Sequence, residues 1–327
     1  MPISNTYQPN APTGKTTTGS AVANREDLSN ELTLLAPEET PLLSLCSKGK
    51  ATSTFCEWTV DGLATPSADG ISEGVDVSSF DDKFANRARL GNYTQIFRRD
   101  FLVSNLQQAV TSVGPANVAQ AEAKSMRELK RDVEFAICSD NDRSVENGMG
   151  TPYKLRGLGN WLASASPADV PSTYRTPTGS ILTASPTETT FNDIIASIFT
   201  VNGEANNLTL LASVALRKVV ANFTRSSAAA SSEAVYNVAQ DASSKKVTHS
   251  VQVYDSDFGI VNVINANPSC LSGNKGFVIN PKYLGFNSLI PMGSTRLENQ
   301  GGGERGFVDM VGTLVCKHPG AHGKISY

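Results

Sequence analysis

The stretch EGVDVSSFDDKFANRARLGNYTQIF, residues 73–97, decides how this chain is read. Its first part is acidic, with Glu73, Asp76, Asp81 and Asp82. Its second part is basic, with Lys83, Arg87 and Arg89, followed at once by Arg98 and Arg99. Large apolar residues are a scattered minority, so the segment has little to bury against its own body. Outward from it, ATSTFCEWTV (51–60) and ARLGNYTQIF (88–97) are rich in strand formers. The turn signals LATPSADG and ADGISEG stand between them. The pattern predicts a long hairpin-like excursion from Phe55 out and back to Phe101. A two-stranded ribbon is marginal alone in water, and its edges must be paired or covered. Its opposite charges can pair with each other or with a neighbouring copy in register. Asp76, Asp81 and Asp82 are therefore candidate partners for Arg87, Arg89, Arg98 or Arg99 of another subunit. Trp58 and Phe80 are candidate apolar anchors, because aromatic side chains are favoured at interface cores. For Trp58, a contact within the subunit at the hairpin base is the competing reading.

The rest of the chain supplies the frame. At 327 residues it is long enough for about two domains. Residues 1–24 are rich in Thr, Asn, Gly and Pro and read as an arm. Leu28, Leu32 and Leu35 fall on one helical face, and Pro37 and Pro41 stop that run before the apolar LLSLC (42–46). Residues 115–139 predict the strongest helix, with Pro115 in its first turn and Val118, Met126, Leu129, Val133 and Ala136 or Ile137 as its stripe. Glu122 interrupts that stripe, and Glu128 is spaced to pair with Arg131. DNDRSVENGMG (140–150) and the Pro/Ser/Thr-rich 163–187 are loop-like. Then TETTFNDIIASIFTVNG reads as a helix capped by Thr187 or Thr189, NLTLLAS as a buried strand and VALRKVVANFT as a helix. KKVTHSVQVYDSDFGIVNVINA reads as strands around the turn DSDFG, and KGFVINPKYL as a further strand. ENQGGGERG reads as a flexible joint, making Gly301, Gly302 and Gly303 candidate hinge residues. The final stretch, GFVDMVGTLVCKHPGAHGKISY, predicts a strand pair returning to the first domain. The order of elements is that of an α+β protein.

Composition and motifs exclude more than they assign. The net charge is -3, and residues 1–24 hold one basic residue, Lys15, so no basic tail is present to neutralise single-stranded RNA. No run of about 18 apolar residues reads as a membrane span. Cys46, Cys56, Cys138, Cys270 and Cys316 are odd in number and dispersed, the pattern of free thiols in a reducing compartment. His249, His318 and His322 form no metal motif, and the latter two read as exposed turn residues. Asp140, Asn141 and Asp142 resemble the start of a calcium loop, but Val145 stands where such a loop needs glycine. GGGERG and GLGNWL do not link a strand to a helix in the way a phosphate cradle does. Ser44 and Lys48 do not make S-x-x-K. Asn92, Asn207 and Asn222 begin glycosylation sequons that mean little without a secretion signal. No catalytic residue, cofactor or metal ligand is expected.

Specific phrases carry a resemblance. APEETPLLSLCSKGKATSTFCEWTVDGL (36–63), EG (73–74), ARLGNYTQIFRRDFLVS (88–104), the amphipathic helix and TLVCKHPGAHGKI (313–325), in that order, are similar to the major capsid proteins of tailed bacteriophages. The fold of that family is the one named for phage Hong Kong 97. The likeness is weakest in 140–185 and 225–275. It implies an N-terminal arm (1–50), an extended loop (51–101) lying over an adjacent subunit, and a peripheral domain (102–185) with spine helix 115–139. It further implies an axial domain (186–295) and return strands of the peripheral domain (296–327). The implied function is a self-assembling icosahedral or prolate head of pentamers and hexamers around double-stranded DNA, built in the bacterial cytoplasm. Portal, decoration and separate scaffolding proteins are the implied partners. Lys83 is the only lysine on the loop and no asparagine follows Asn299, so a covalent Lys–Asn link between subunits is not expected. A nanocompartment shell, a tail tube or sheath protein and an enzyme are the alternatives.

Overall fold

The structure, a computed structural model, describes residues 40–110, 117–164, 167–223 and 252–327. The expected helix at Leu28–Leu35, Pro115, His249 and the start of the strand before Tyr254 lie outside these residues. The chain opens with α1 (Pro41–Leu45) and β1 (Ser47–Lys50), then β2 (Phe55–Val60), β3 (Ala88–Tyr93) and β4 (Gln95–Val103). Next come α2 (Asn105–Ala109), α3 (Val118–Cys138) and α4 (Leu158–Trp161). The short β5 (Ile181–Leu182) leads to α5 (Glu188–Asn202), β6 (Leu208–Ala212) and α6 (Val214–Asn222). β7 (Val253–Ser256), β8 (Gly259–Asn265), β9 (Lys275–Ile279), β10 (Leu284–Leu297), β11 (Glu304–Cys316) and β12 (Gly323–Ser326) complete it.

Three sheets form. One has four strands in the order β1-β10-β11-β4, one has six in the order β5-β12-β9-β6-β8-β7, and β2 pairs with β3 alone. α3 packs across β4 and β11 and buries Val118, Leu129, Val133 and Ile137, the face that periodicity predicted. Asn117 caps it by accepting from the Gln120 N–H. α5 buries Phe191, Ile194, Ile195 and Ile198 over the six-stranded sheet, with a capping box between Thr187 and Thr190 and a left-handed Gly203 at its end. β6 is buried along its whole length, which accounts for a strand that is apolar except at Thr209.

Two expectations are corrected by long-range pairing. Of the last two strands, β11 does pair with β4, but β12 crosses into the six-stranded sheet between β5 and β9. A boundary at residue 295 falls inside β10, whose partners are β1 and β11. Gly301, Gly302 and Gly303 accordingly lie in the turn of the β10–β11 hairpin, between two strands of one sheet. Gly303 has φ 139, and a Cβ there would strike the Val103 carbonyl oxygen. Glu128 pairs with Lys124 at 4.0 Å, while Arg131 donates to Ser269.

One residue of the spine helix breaks its own pattern. Glu134 is 1% exposed among apolar neighbours, and its two carboxylate oxygens accept the N–H groups of Leu42 and Leu43, each at 2.8 Å. Those are orphan donors of the first turn of α1, so a side chain from α3 caps a helix far away in sequence. Burial pushes its pKa up, and the two backbone donors pull against that. This is why LLSLC holds as an anchor: Leu42 is sealed beneath α3 with its amide satisfied.

Candidate assembly surface

The hairpin predicted from Phe55 to Phe101 divides into three parts. β2 and β3 pair over six rungs, Phe55 with Tyr93 through Val60 with Ala88. β4 leaves this ribbon for the four-stranded sheet. Between the strands, residues 61–87 form no strand at all, and every residue from Leu63 to Arg87 is exposed. The expected ribbon is thus a short base carrying a long loop. A structureless loop of this length inside a folded body is uncommon and marks a functional segment.

The base is held by two buried polar side chains, Asn92 and Arg156, and the charged partners of Arg156 reach the surface. Asn92 is fully buried; its amide donates to the Arg156 and Leu314 carbonyls, and its oxygen accepts the Arg156 N–H at 2.8 Å. This one side chain ties β3 to the 140–160 segment and to β11. The Arg156 guanidinium, 2% exposed, forks onto Asp169 at 2.8 and 3.2 Å and reaches Asp142 at 2.7 Å. It also lies 4.8 Å over the ring of buried Trp161, which meets Trp58 at 5.7 Å. Arg143 adds a bond to the Gly91 carbonyl, a contact with Asp169 at 3.2 Å and a seat over the Phe55 ring. Burial opposes charge on Asp169, but the hydrogen bonds and charge of Arg156, with Arg143 beside it, outweigh that and hold its pKa below the ordinary 3.8.

The loop neck is closed separately. Arg87 meets Asp61 at 3.1 Å, and the Tyr174 hydroxyl donates to the Asn86 carbonyl. Beyond the neck the loop carries Leu63, Ile71, Val75, Val77, Phe80 and Phe84 in water; Phe80 is 89% exposed. Trp58 takes its competing reading, a contact at the base, while Phe80 is free to act as an anchor. The other five apolar residues went unread, although Val75 and Val77, two apart in an acidic run, were the available signal.

Within the chain the arginines have partners of their own. Arg89 faces Glu57 at 3.9 Å, Arg98 faces Asp100 at 3.1 Å, and Arg99 forks onto Asp132 of α3. With Arg87 on Asp61, all four have partners in their own chain, and none is Asp76, Asp81 or Asp82. Asp81 meets Lys83 at 3.6 Å. Among the described residues, Glu73, Asp76 and Asp82 have no cationic partner, so what the loop offers outward is acidic and apolar.

The model of the SU10 major capsid protein family matches residues 11–327. The chain belongs to that family. A curated major capsid protein of Escherichia phage Phieco32 is 30% identical over 118 residues, 35% of this chain, and the match spans about a third (33%) of the relative's length. Among solved structures, the cyanophage A-1(L) capsid superposes with TM-score 0.67 at 13% identity, covering 93% of this chain and 96% of that one. A chain from Gordonia phage Cozz gives 0.58 at 15% identity, covering 98% and 97%. These likenesses show the fold, the Hong Kong 97-like α+β architecture of phage capsids.

The remaining candidates of this capsid-family chain have structural places. His322 is fully buried, not exposed; its Nδ1 accepts from the Asn280 N–H at 3.1 Å, and burial, with His318 nearby, lowers its pKa to about 3. His318 is partly buried against Tyr283. Asp140 bridges Lys275 and Lys324, both at 2.6 Å, and so links the end of α3 to β9 and β12. Gly157 and Gly159 allow close approach to Ser139 and Asp140, where a Cβ would collide. Ser44 donates to the Thr40 carbonyl. The described cysteines are free; burial raises Cys46 to about 12 and Cys270 to about 11. Among the described residues no cluster of three or more metal-ligating side chains occurs.

Proposed function

We propose that this chain is the self-assembling subunit of a closed phage head around double-stranded DNA, and that the 61–87 loop lies on the adjacent protomer. The observation that carries this reading is the loop itself. It is a fully exposed segment with six large apolar side chains and unpaired acids, standing on a base too well determined to be incidental. Apolar residues held in water on a rigid pedestal gain free energy when a second copy covers them. The unpaired acids suit a neighbour's cations and set register more than affinity. Repetition of the same contact closes a shell. A single millimolar contact is worth only about -4 kcal/mol, but after the first contacts the rest act at high effective concentration. A slightly acidic wall suits a genome that is pumped in rather than condensed by the shell. Pentamers and hexamers, and separate scaffolding, portal and decoration proteins, belong to this same proposal.

The test is a fourfold variant, Ile71→Ser, Val75→Ser, Val77→Ser and Phe80→Ser, examined by circular dichroism and negative-stain microscopy. The folded monomer should persist while particle yield collapses. Normal particles from this variant would reject the loop assignment.

A further inference from the structure

A second surface is left uncovered by the described residues at the point where they begin. A groove of about 540 Å³ lies between α1, β1, α3 and the β10–β11 hairpin. Its walls include the apolar side chains of Leu43, Phe286, Met292 and Met310, with two exposed lysines, Lys48 and Lys130. Methionine-lined walls adapt to the shape of an occupant. Among the described residues neither lysine has a carboxylate within ion-pair range. Thr40, the first described residue, lines the groove itself.

We infer that the occupant is the chain's own segment 26–35. Its sequence, EDLSNELTLL, places Leu28, Leu32 and Leu35 on one face of a helix. Glu26, Asp27, Glu31, Glu38 and Glu39 make residues 26–39 acidic, and no basic residue offsets them. The groove is the complement of that pattern: an apolar floor for the leucines and two unpaired cations for the acids. The connection is short. The five residues from Leu35 to Thr40 reach at most about 17 Å, so the end of the segment is tethered within that distance of Thr40. A tether of that length gives an effective concentration on the order of millimolar, enough for a modest apolar contact to be populated. Docking of this kind seals Leu43 and Met292, which α1 and β10 leave half covered. It does not depend on shell closure.

The experiment uses the full chain, dilute enough to remain monomeric. Hydroxyl-radical oxidation of Met292 is followed in the parent chain, in the variant Leu28→Ser, Leu32→Ser, Leu35→Ser, and in the groove variant Lys48→Glu, Lys130→Glu. Oxidation should rise roughly tenfold in the leucine variant, in proportion to the open fraction of the groove. It should rise by a smaller factor in the lysine variant, whose exposed substitutions leave the fold intact and which decides the matter alone if the first variant does not fold. A photo-crosslinking residue in place of Thr33, in a mixture of light and heavy-isotope chains, should join Met292 or Phe286 of the same chain. Unchanged oxidation in both variants overturns the inference. Crosslinks only between light and heavy chains overturn it in favour of a neighbour's segment.

Discussion

Arg87 and Arg156 carry the same charge and each faces an aspartate, yet they belong to opposite kinds of structure. Arg87, half exposed, closes the loop neck on Asp61 through one solvent-facing pair. Pairs of that kind contribute about 0–1 kcal/mol. Arg156 is sealed between Asn92, Asp142, Asp169 and Trp161, where each of its three guanidinium nitrogens donates to an aspartate. A charge buried like this is costly if any partner is removed, so the network admits one arrangement. The base of the hairpin is over-determined and the loop above it is under-determined. A segment that must fit a partner has to be free of contacts at home, while its anchor must not move.

Four experiments break or sharpen that contrast. The largest effect is expected from Arg156→Met, which removes the buried guanidinium from Asp142, Asp169 and the face of Trp161. It should cost about 3 kcal/mol by urea unfolding, and a loss as small as that of an exposed arginine would erase the distinction. Asn92→Ala should cost about 2 kcal/mol, because the Arg156 N–H and the Leu314 carbonyl lose their buried partner. Asp169→Asn should act in a pH-dependent way. Its carboxyl has a lowered pKa in the fold, so its stabilisation is present above the ordinary 3.8 and is lost as pH falls through the folded value. The gap in unfolding free energy between parent and Asp169→Asn should therefore be widest near neutrality and shrink in acid; a gap independent of pH would sink the assignment. The smallest effect belongs to the fourfold loop variant, whose monomer stability should stay within about 0.5 kcal/mol of the parent. A larger loss would mean that the loop packs on its own chain.

How much was legible follows from the range of each interaction. α3, α5, β6, α6 and the β7–β8 turn were readable because their apolar residues repeat at the period of the element. The cap of α5 was readable as Thr187 or Thr189, and the structure selects Thr187, which accepts from the Thr190 N–H three residues on. Glu134 was not, since its partners are Leu42 and Leu43 and a lone glutamate in a helix looks like part of the solvated face. Arg156 and Asn92 were lost for the same reason: the partners of Asn92 are Arg156 and Leu314, and those of Arg156 include Asp142 and Asp169, none of them adjacent in sequence. The arginines following the loop were visible, but their partners Glu57, Asp61, Asp100 and Asp132 were not, because like-looking acids compete and only geometry ranks them.

By itself, the amino-acid order determined the longer helices α3, α5 and α6, the strand β6, the mostly polar excursion between Phe55 and Phe101, and, through the sequence of its motifs, the capsid family. Only the tertiary structure decided that β12 joins the other sheet, that the three glycines turn a hairpin, and that buried Asn92 and Arg156 lock the base while the loop stays bare. The reason is physical. Periodicity is a local property that each element carries within its own residues, whereas the burial of a polar group is stable only when distant residues arrive with matching donors and acceptors.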